Sequence, residues 1–227
     1  MKKSIVARMI TIVGCLFIVA MADVSPAKNI VVIDPAHGGD ENGVRLSGDE
    51  YEKDIVLAIA KGVRTALDKS EKLSIVLTRT DDATVSSEER KDLTKRAGAD
   101  LFISLHINAG FGKQAEGYEV GISGLTETKP VPDSQEVVQD MVRNKYINDS
   151  VRFAQLAQRA MEKIFPRQGR GIRNADFAIL ADVDCPAVLL EMGFATNIEN
   201  KKVLRKSEIQ KEIADEIAIS IHEYFRE

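Results

Sequence analysis

Four short, mostly apolar segments constrain this chain more than any other feature: Asn29–Ile33 (NIVVI), Leu73–Leu77 (LSIVL), Leu101–Leu105 (LFISL) and Ala187–Leu190 (AVLL). Runs of this kind, without polar alternation, suit strands buried on both faces. The first is closed by Asp34-Pro35 and by Gly38-Gly39, and the last follows Pro186. Helical periodicity falls between the runs. Asp54–Leu67 places Ile55, Ile59, Val63 and Ala66 on one face, and Ser86/Ser87 with Glu89 opens a charged helix ending near Ala97. Val151, Ala154, Ala157, Met161 and Ile164 predict a helix over Val151–Ile164, and Ile209, Ile213, Ile217, Ile221 and Phe225 form the stripe of a final one. Gly117–Ile122 reads as a further, weaker strand, and residues 123–135 as a surface loop. Strands alternating with helices predict one α/β domain, a largely parallel twisted sheet with helices on both faces.

Composition agrees with that fold. A chain of 227 residues, 44% hydrophobic and 29% charged, can bury a core without disulfides. With 31 basic and 35 acidic residues the formal charge is −4, which argues against a nucleic-acid partner.

The N-terminus predicts export. Lys2, Lys3 and Arg8 precede an uncharged run from Met9 that ends in Ala20-Met21-Ala22. This is the pattern of a signal peptide over residues 1–22, leaving 23–227 as the mature domain. The apolar run, 14 residues from Met9 to Ala22, would span only ~21 Å as a helix, short of the ~30 Å hydrocarbon core. Ile12-Val13-Gly14-Cys15 resembles a lipobox, and lipidation at Cys15 is the less favoured alternative because the apolar stretch continues well past it. With residues 1–22 removed, Cys185 is the one remaining cysteine, so no intrachain disulfide is expected.

Three polar residues stand at strand ends. His37 follows the first run, His106 follows Leu101–Leu105 directly, and Glu191 follows Ala187–Leu190 directly. In a parallel sheet those ends share one edge, where α/β sites are built. Two imidazoles and a carboxylate are a common zinc set for hydrolysis, with water in the fourth position. The third ligand is expected near the start of the Asp54–Leu67 helix, where Glu50 and Glu52 are both candidates and spacing alone does not separate them. Glu191 would then be the general base, its bland alternative being a buried salt bridge. Gly38-Gly39 suits a loop passing close to a ligand. His222 reads as a surface residue, Cys185 as a small core residue, and the run Glu88/Glu89/Arg90/Lys91 as a solvated helix face.

The order of segments Val32–Gly39 (VIDPAHGG), Glu52-Lys53-Asp54, Ser104–Asn108 (SLHIN) and Leu190–Asn197 (LEMGFATN) resembles the zinc-dependent N-acetylmuramoyl-L-alanine amidases of the type 3 family. The resemblance runs from about Asn29 to Phe225. It implies zinc (Zn2+) bound by His37, Glu52 and His106, which selects Glu52 over Glu50, and a catalytic carboxylate at Glu191. It also implies hydrolysis of the amide joining N-acetylmuramic acid to the L-alanine of the peptidoglycan stem peptide, in the periplasm or cell wall. One departure is Ala36, where family members usually carry Gly; a positive φ there would strain the loop. Targeting is expected to depend on an activator or targeting protein or on the catalytic groove, and residues 123–147 are long enough to cover that groove. A zinc hydrolase of another peptide or amide, and a non-catalytic wall-binding module, are the other two classes considered. Both His and both Glu being present argues against the second.

Overall fold

The computed structural model describes residues 28–125, 136–174 and 177–226. The expected export segment and Cys15 lie outside these residues. The chain runs β1 (Asn29–Pro35), β2 (Arg45–Ser47), β3 (Glu50–Tyr51), α1 (Glu52–Leu67), β4 (Leu73–Leu77), α2 (Ser87–Ala97), β5 (Leu101–Asn108), β6 (Tyr118–Ile122), α3 (Glu136–Ile164), β7 (Gly169–Asn174), β8 (Ala187–Phe194), α4 (Ile198–Leu204) and α5 (Ser207–Tyr224). A six-stranded sheet has the order β4-β1-β5-β8-β6-β7, and β2-β3 form a separate ribbon. The four strands predicted from apolar runs are parallel to one another, whereas β6 pairs antiparallel with β8 and carries β7 beside it in parallel. The sheet is therefore largely parallel, with a reversed edge.

The two faces are covered unequally. On one, Val31, Ile33, Leu101, Ile103, Leu105, Val188 and Leu190 of the strands pack with Ile55, Ile59, Phe153, Met161, Ile213 and Ile217 from α1, α3 and α5. On the other, among the described residues, Val32, Val76, Phe102, Ala187 and Leu189 of the strands meet Leu93 and Ala97 of α2, Ala99 after it, and the Ile179–Cys185 segment. His106 and Glu191 alternate in phase with Phe102 and Leu189, so they lie on this thinly covered face. That is where a substrate can reach the sheet.

Several expectations shift. β5 runs to Asn108 and β8 to Phe194, so His106 and Glu191 lie within the last few residues of their strands, not just beyond them. The predicted helix at Val151 begins at Glu136. Neither β7, exposed along much of its length and containing Gly169 and Gly171, nor α4 or the β2-β3 ribbon carries an apolar pattern of its own. The final stripe behaves as expected, with Ile213, Ile217 and Ile221 buried, His222 exposed and Cys185 buried.

Arg90 overturns its reading as part of a solvated face. It is 5% exposed and forms an ion pair with Asp34, itself 1% exposed. Asp34 also accepts from Thr78 Oγ1 (2.5 Å) and Ser104 Oγ (2.8 Å), which accounts for the serine before His106 in the third motif. Replacing Arg90 by Met leaves Asp34 buried without its cation. Such a change is expected to cost about 3–5 kcal/mol in urea unfolding. A loss below ~1 kcal/mol would show that Asp34 is satisfied without it.

Candidate metal centre and active site

The first histidine is held by strain that its surroundings offset. His37 has φ 61°, the left-handed region that costs an L-residue roughly 1–2 kcal/mol. Ala36, by contrast, is not among the positive-φ residues, so the methyl group that departs from the family pattern sits in ordinary backbone, 2% exposed. Two buried arginines grip the loop. Arg79 donates to the carbonyls of Pro35 (2.9 Å), Ala36 (2.9 Å) and Lys53 (2.8 Å), and Arg90 donates to those of Pro35 (3.0 Å) and His37 (2.7 Å). Gly38-Gly39 makes a close approach to neighbouring protein atoms. A Cβ at Gly38 would stand 2.3 Å from the Ala83 carbonyl oxygen, and one at Gly39 would stand 2.0 Å from Thr84 Oγ1.

The triplet Glu52-Lys53-Asp54 divides its labour. Asp54 accepts from the Tyr51 N–H (3.0 Å) and so fixes the start of α1. Lys53 Nζ ties the Gly39 carbonyl (2.8 Å) to Asp82 (2.9 Å). Glu52, the first residue of α1, points inward at 2% exposure. Its Oε2 lies 3.2 Å from His37 Nε2 and accepts from the Val44 N–H at 3.0 Å. Its Oε1 lies 3.2 Å from His106 Nδ1 and accepts from the Ile107 N–H at 2.9 Å. Burial pushes this carboxyl upward, but hydrogen bonds from His106 and His37 outweigh it and bring the pKa down to about 2. The same bond to Glu52 raises His37. Glu50 is elsewhere, in β3, paired with Arg205.

One ligand atom from each of His37, Glu52 and His106 can be chosen so that all lie within 4.8 Å of one another. A tetrahedral zinc with ~2.0–2.1 Å bonds needs donors ~3.3 Å apart, close to the carboxylate–imidazole separations seen. The two imidazoles keep 28% and 22% of their side-chain surface open, which leaves one side for water or substrate. The residues present fit a zinc ion.

Glu191 stands beside this cluster, directly across from His106 on β5 and from Glu119 on β6. It is 8% exposed, and its Oε2 is buried without a hydrogen-bond partner, so the buried salt bridge considered from sequence is not formed among the described residues. Burial first, then the charges of Glu52 and Glu119, push its pKa up to about 8. Cys185 offers no competing nucleophile, since burial and the nearby Asp100 and Asp184 push its thiol up to about 12.

Gly43 was not apparent from sequence. At φ 66°, a Cβ there would fall 2.5 Å from Glu52 Oε2 and 2.6 Å from His37 Cδ2. Its visible signal is only the Asn42-Gly43 turn pair. Gly43→Ala is expected to displace the carboxylate and weaken zinc binding at least tenfold. Gly48→Ala, where φ is 51° but nothing lies within 4 Å, should cost only the backbone strain of ~1 kcal/mol and leave zinc affinity unchanged. Equal zinc affinities in the two variants would contradict this packing.

Glu191 also predicts a pH effect in chelator-treated protein. A carboxyl whose folded pKa lies above its ordinary 4.5 favours folding below that value and loses the advantage as pH rises through about 8. Glu191→Gln should therefore melt like the wild type at about pH 4.5 and progressively higher above it, a gain approaching ~4–5 kcal/mol by about pH 8.5. A constant difference across that range would show that Glu191 is not perturbed.

Residues 31–223 match the N-acetylmuramoyl-L-alanine amidase family. The chain is 28% identical over 219 residues to the N-acetylmuramoyl-L-alanine amidase AmiC of Escherichia coli O6:H1, covering 86% of this chain and 52%, about half, of that relative. It is also similar to the crystal structure of an N-acetylmuramoyl-L-alanine amidase from Clostridium difficile 630, with TM-score 0.74, 29% identity, and 88% and 97% of the two chains covered. The CwlD amidase of Clostridioides difficile, determined in complex with the GerS lipoprotein, aligns with TM-score 0.68 and 25% identity over 88% of this chain and 99% of that one. Fold, motif order and family match agree: the chain belongs to the N-acetylmuramoyl-L-alanine amidase family.

Proposed function

We propose that the chain is a zinc-dependent peptidoglycan amidase that cleaves the amide between the lactyl group of N-acetylmuramic acid and L-alanine. The observation that carries this reading is the convergence of His37, Glu52 and His106 beside a buried, unpartnered carboxylate at Glu191. His37, Glu52 and His106 would hold the ion. Zinc in such a site polarises the scissile carbonyl and lowers the pKa of water towards ~7.

The other steps belong to the chain. Glu52, buried and turned to both imidazoles, would serve as a ligand and not as the acid. Glu191 takes the proton of the attacking water on its carboxylate. Its burial and the neighbouring charges of Glu52 and Glu119 favour the protonated form, so it retains the proton until the C–N bond breaks. It then delivers the proton to the leaving amine of L-alanine. The thinly covered sheet face, carrying His106 and Glu191, gives a polymer room to lie across the strands.

Export over residues 1–22 is part of the same proposal, since this polymer lies outside the cytoplasmic membrane; no helix among the described residues is long and apolar enough to cross one. A protein partner that activates or targets the chain is supported by the capture of CwlD with GerS. Residues 138–147, near the start of α3, contribute to a cavity of about 730 Å³ with Leu180–Cys185, and residues 126–135 of the segment that could cover the groove lie outside the described residues.

Mass spectrometry of purified sacculi after digestion tests the reaction. Peptides with a free L-alanine amine should be released with zinc and not with a chelator, while cleavage elsewhere in the peptide or glycan would contradict the assignment. His106→Ala should lose both zinc and turnover, and Glu50→Ala should change either less than threefold. Glu191→Gln should keep stoichiometric zinc while kcat falls roughly 10²–10⁴-fold. Normal kcat in that variant would remove Glu191 from the reaction, and loss of zinc would make it a ligand.

A further inference from the structure

A cleft of about 250 Å³ opens on the β7 side of Glu191, lined by Glu119, Gly121, Arg173, Asn174, Phe177 and Leu189 together with Glu191 itself. Its direction follows from the reaction. Glu191 must reach the leaving nitrogen, so the peptide that continues from that nitrogen begins at Glu191. The zinc cluster occupies the β1–β5 side. The side of Glu191 that faces β6 and β7 is the cleft.

The walls have a definite chemistry. Leu189, 1% exposed, and the half-exposed ring of Phe177 supply apolar surface suited to a small side chain such as a methyl group. Gly121 adds no side chain to the wall. Across from them the Glu119 carboxylate faces two guanidiniums, with Arg173 Nε at 2.9 Å and Arg170 Nε at 3.3 Å. Arg170 is also placed over the Phe194 ring, 5.1 Å from its centroid. Two guanidiniums thus share the Glu119 carboxylate, and Glu191 is the second acidic group of the lining. Arg173 is the arginine that lines the cleft, and a guanidinium bonded through Nε still presents its Nη edge to a second carboxylate.

We propose that this cleft is the subsite for the stem peptide on the amine side of the scissile bond, and that Arg173 selects a free α-carboxylate on its second residue. L-Alanine would occupy the Leu189–Phe177 end. The following glutamate, joined onward through its γ-carboxyl, keeps an α-carboxylate one residue away, in reach of Arg173. The chain would then prefer peptidoglycan in which this carboxyl is free over peptidoglycan in which it is amidated. The inference rests on the amidase reading above.

Internal competition tests it. Sacculi whose glutamate α-carboxyls are about half amidated are digested with zinc-loaded protein, and the two released peptides are counted by mass spectrometry at early times. Their ratio gives the ratio of kcat/KM values. The wild type should favour the carboxylate form roughly tenfold, the size expected when one charge-assisted hydrogen bond is gained. Arg173→Gln should bring the ratio near one, the carboxylate form losing roughly tenfold more kcat/KM than the amidated form; Arg173→Lys should fall between. A wild-type ratio near one, or an Arg173→Gln variant that keeps the preference or slows both peptides equally, would overturn the assignment. Release of neither peptide by the wild type would instead fail the amidase reading, and the subsite with it.

Discussion

A carboxylate that is 2% exposed needs its lone pairs engaged, and Glu52 engages them from four directions. Backbone N–H groups of Val44 and Ile107 hold one oxygen each, and each oxygen also faces an imidazole. The arrangement links three elements: the loop after β1 that carries His37, the first turn of α1, and the end of β5 that carries His106. Removing any one leaves a charge buried without its partners. The two backbone donors also fix where the carboxylate stands relative to both imidazoles.

That geometry depends in turn on a second buried charge system one layer below. His37 occupies a backbone conformation that an isolated chain would avoid, and Arg79 and Arg90 hold it there through the carbonyls of Pro35, Ala36 and His37. Arg90 is itself anchored by Asp34, which Ser104 and Thr78 complete. The recurring residues of the motifs thus fall into two groups. His37, Glu52, His106 and Glu191 supply the candidate metal and proton-transfer groups, whereas Asp34, Ser104, Lys53 and Asn197 hold the surrounding backbone. Asn197 does so by capping α4, its Oδ1 accepting from the N–H groups of Glu199 (3.0 Å) and Asn200 (3.1 Å).

The parallel half of the sheet was legible because its strands are buried on both faces and therefore apolar throughout. The reversed edge was not. β7 is exposed along much of its length and contains two glycines, so neither period nor hydropathy marks it, and with it went Arg170, Arg173 and the cleft beside Glu191. His106 and Glu191 were readable as strand-end residues, although each lies inside its strand; the difference is a few residues that polar character disguises. Spacing could not separate Glu50 from Glu52, because they stand on either side of the Tyr51 helix boundary, and only the turn into α1 sends one inward. Arg90 misled because charge in a helix ordinarily means solvent, and nothing local announces a buried partner 56 residues away.

Zinc K-edge absorption on protein loaded with one equivalent of zinc tests the centre of this account most directly. The account predicts coordination by nitrogen and oxygen only, at ~2.0–2.2 Å, with the multiple scattering of two imidazoles. A sulfur shell near ~2.3 Å, or scattering from a single imidazole, would place the metal away from the Glu52 carboxylate and contradict it.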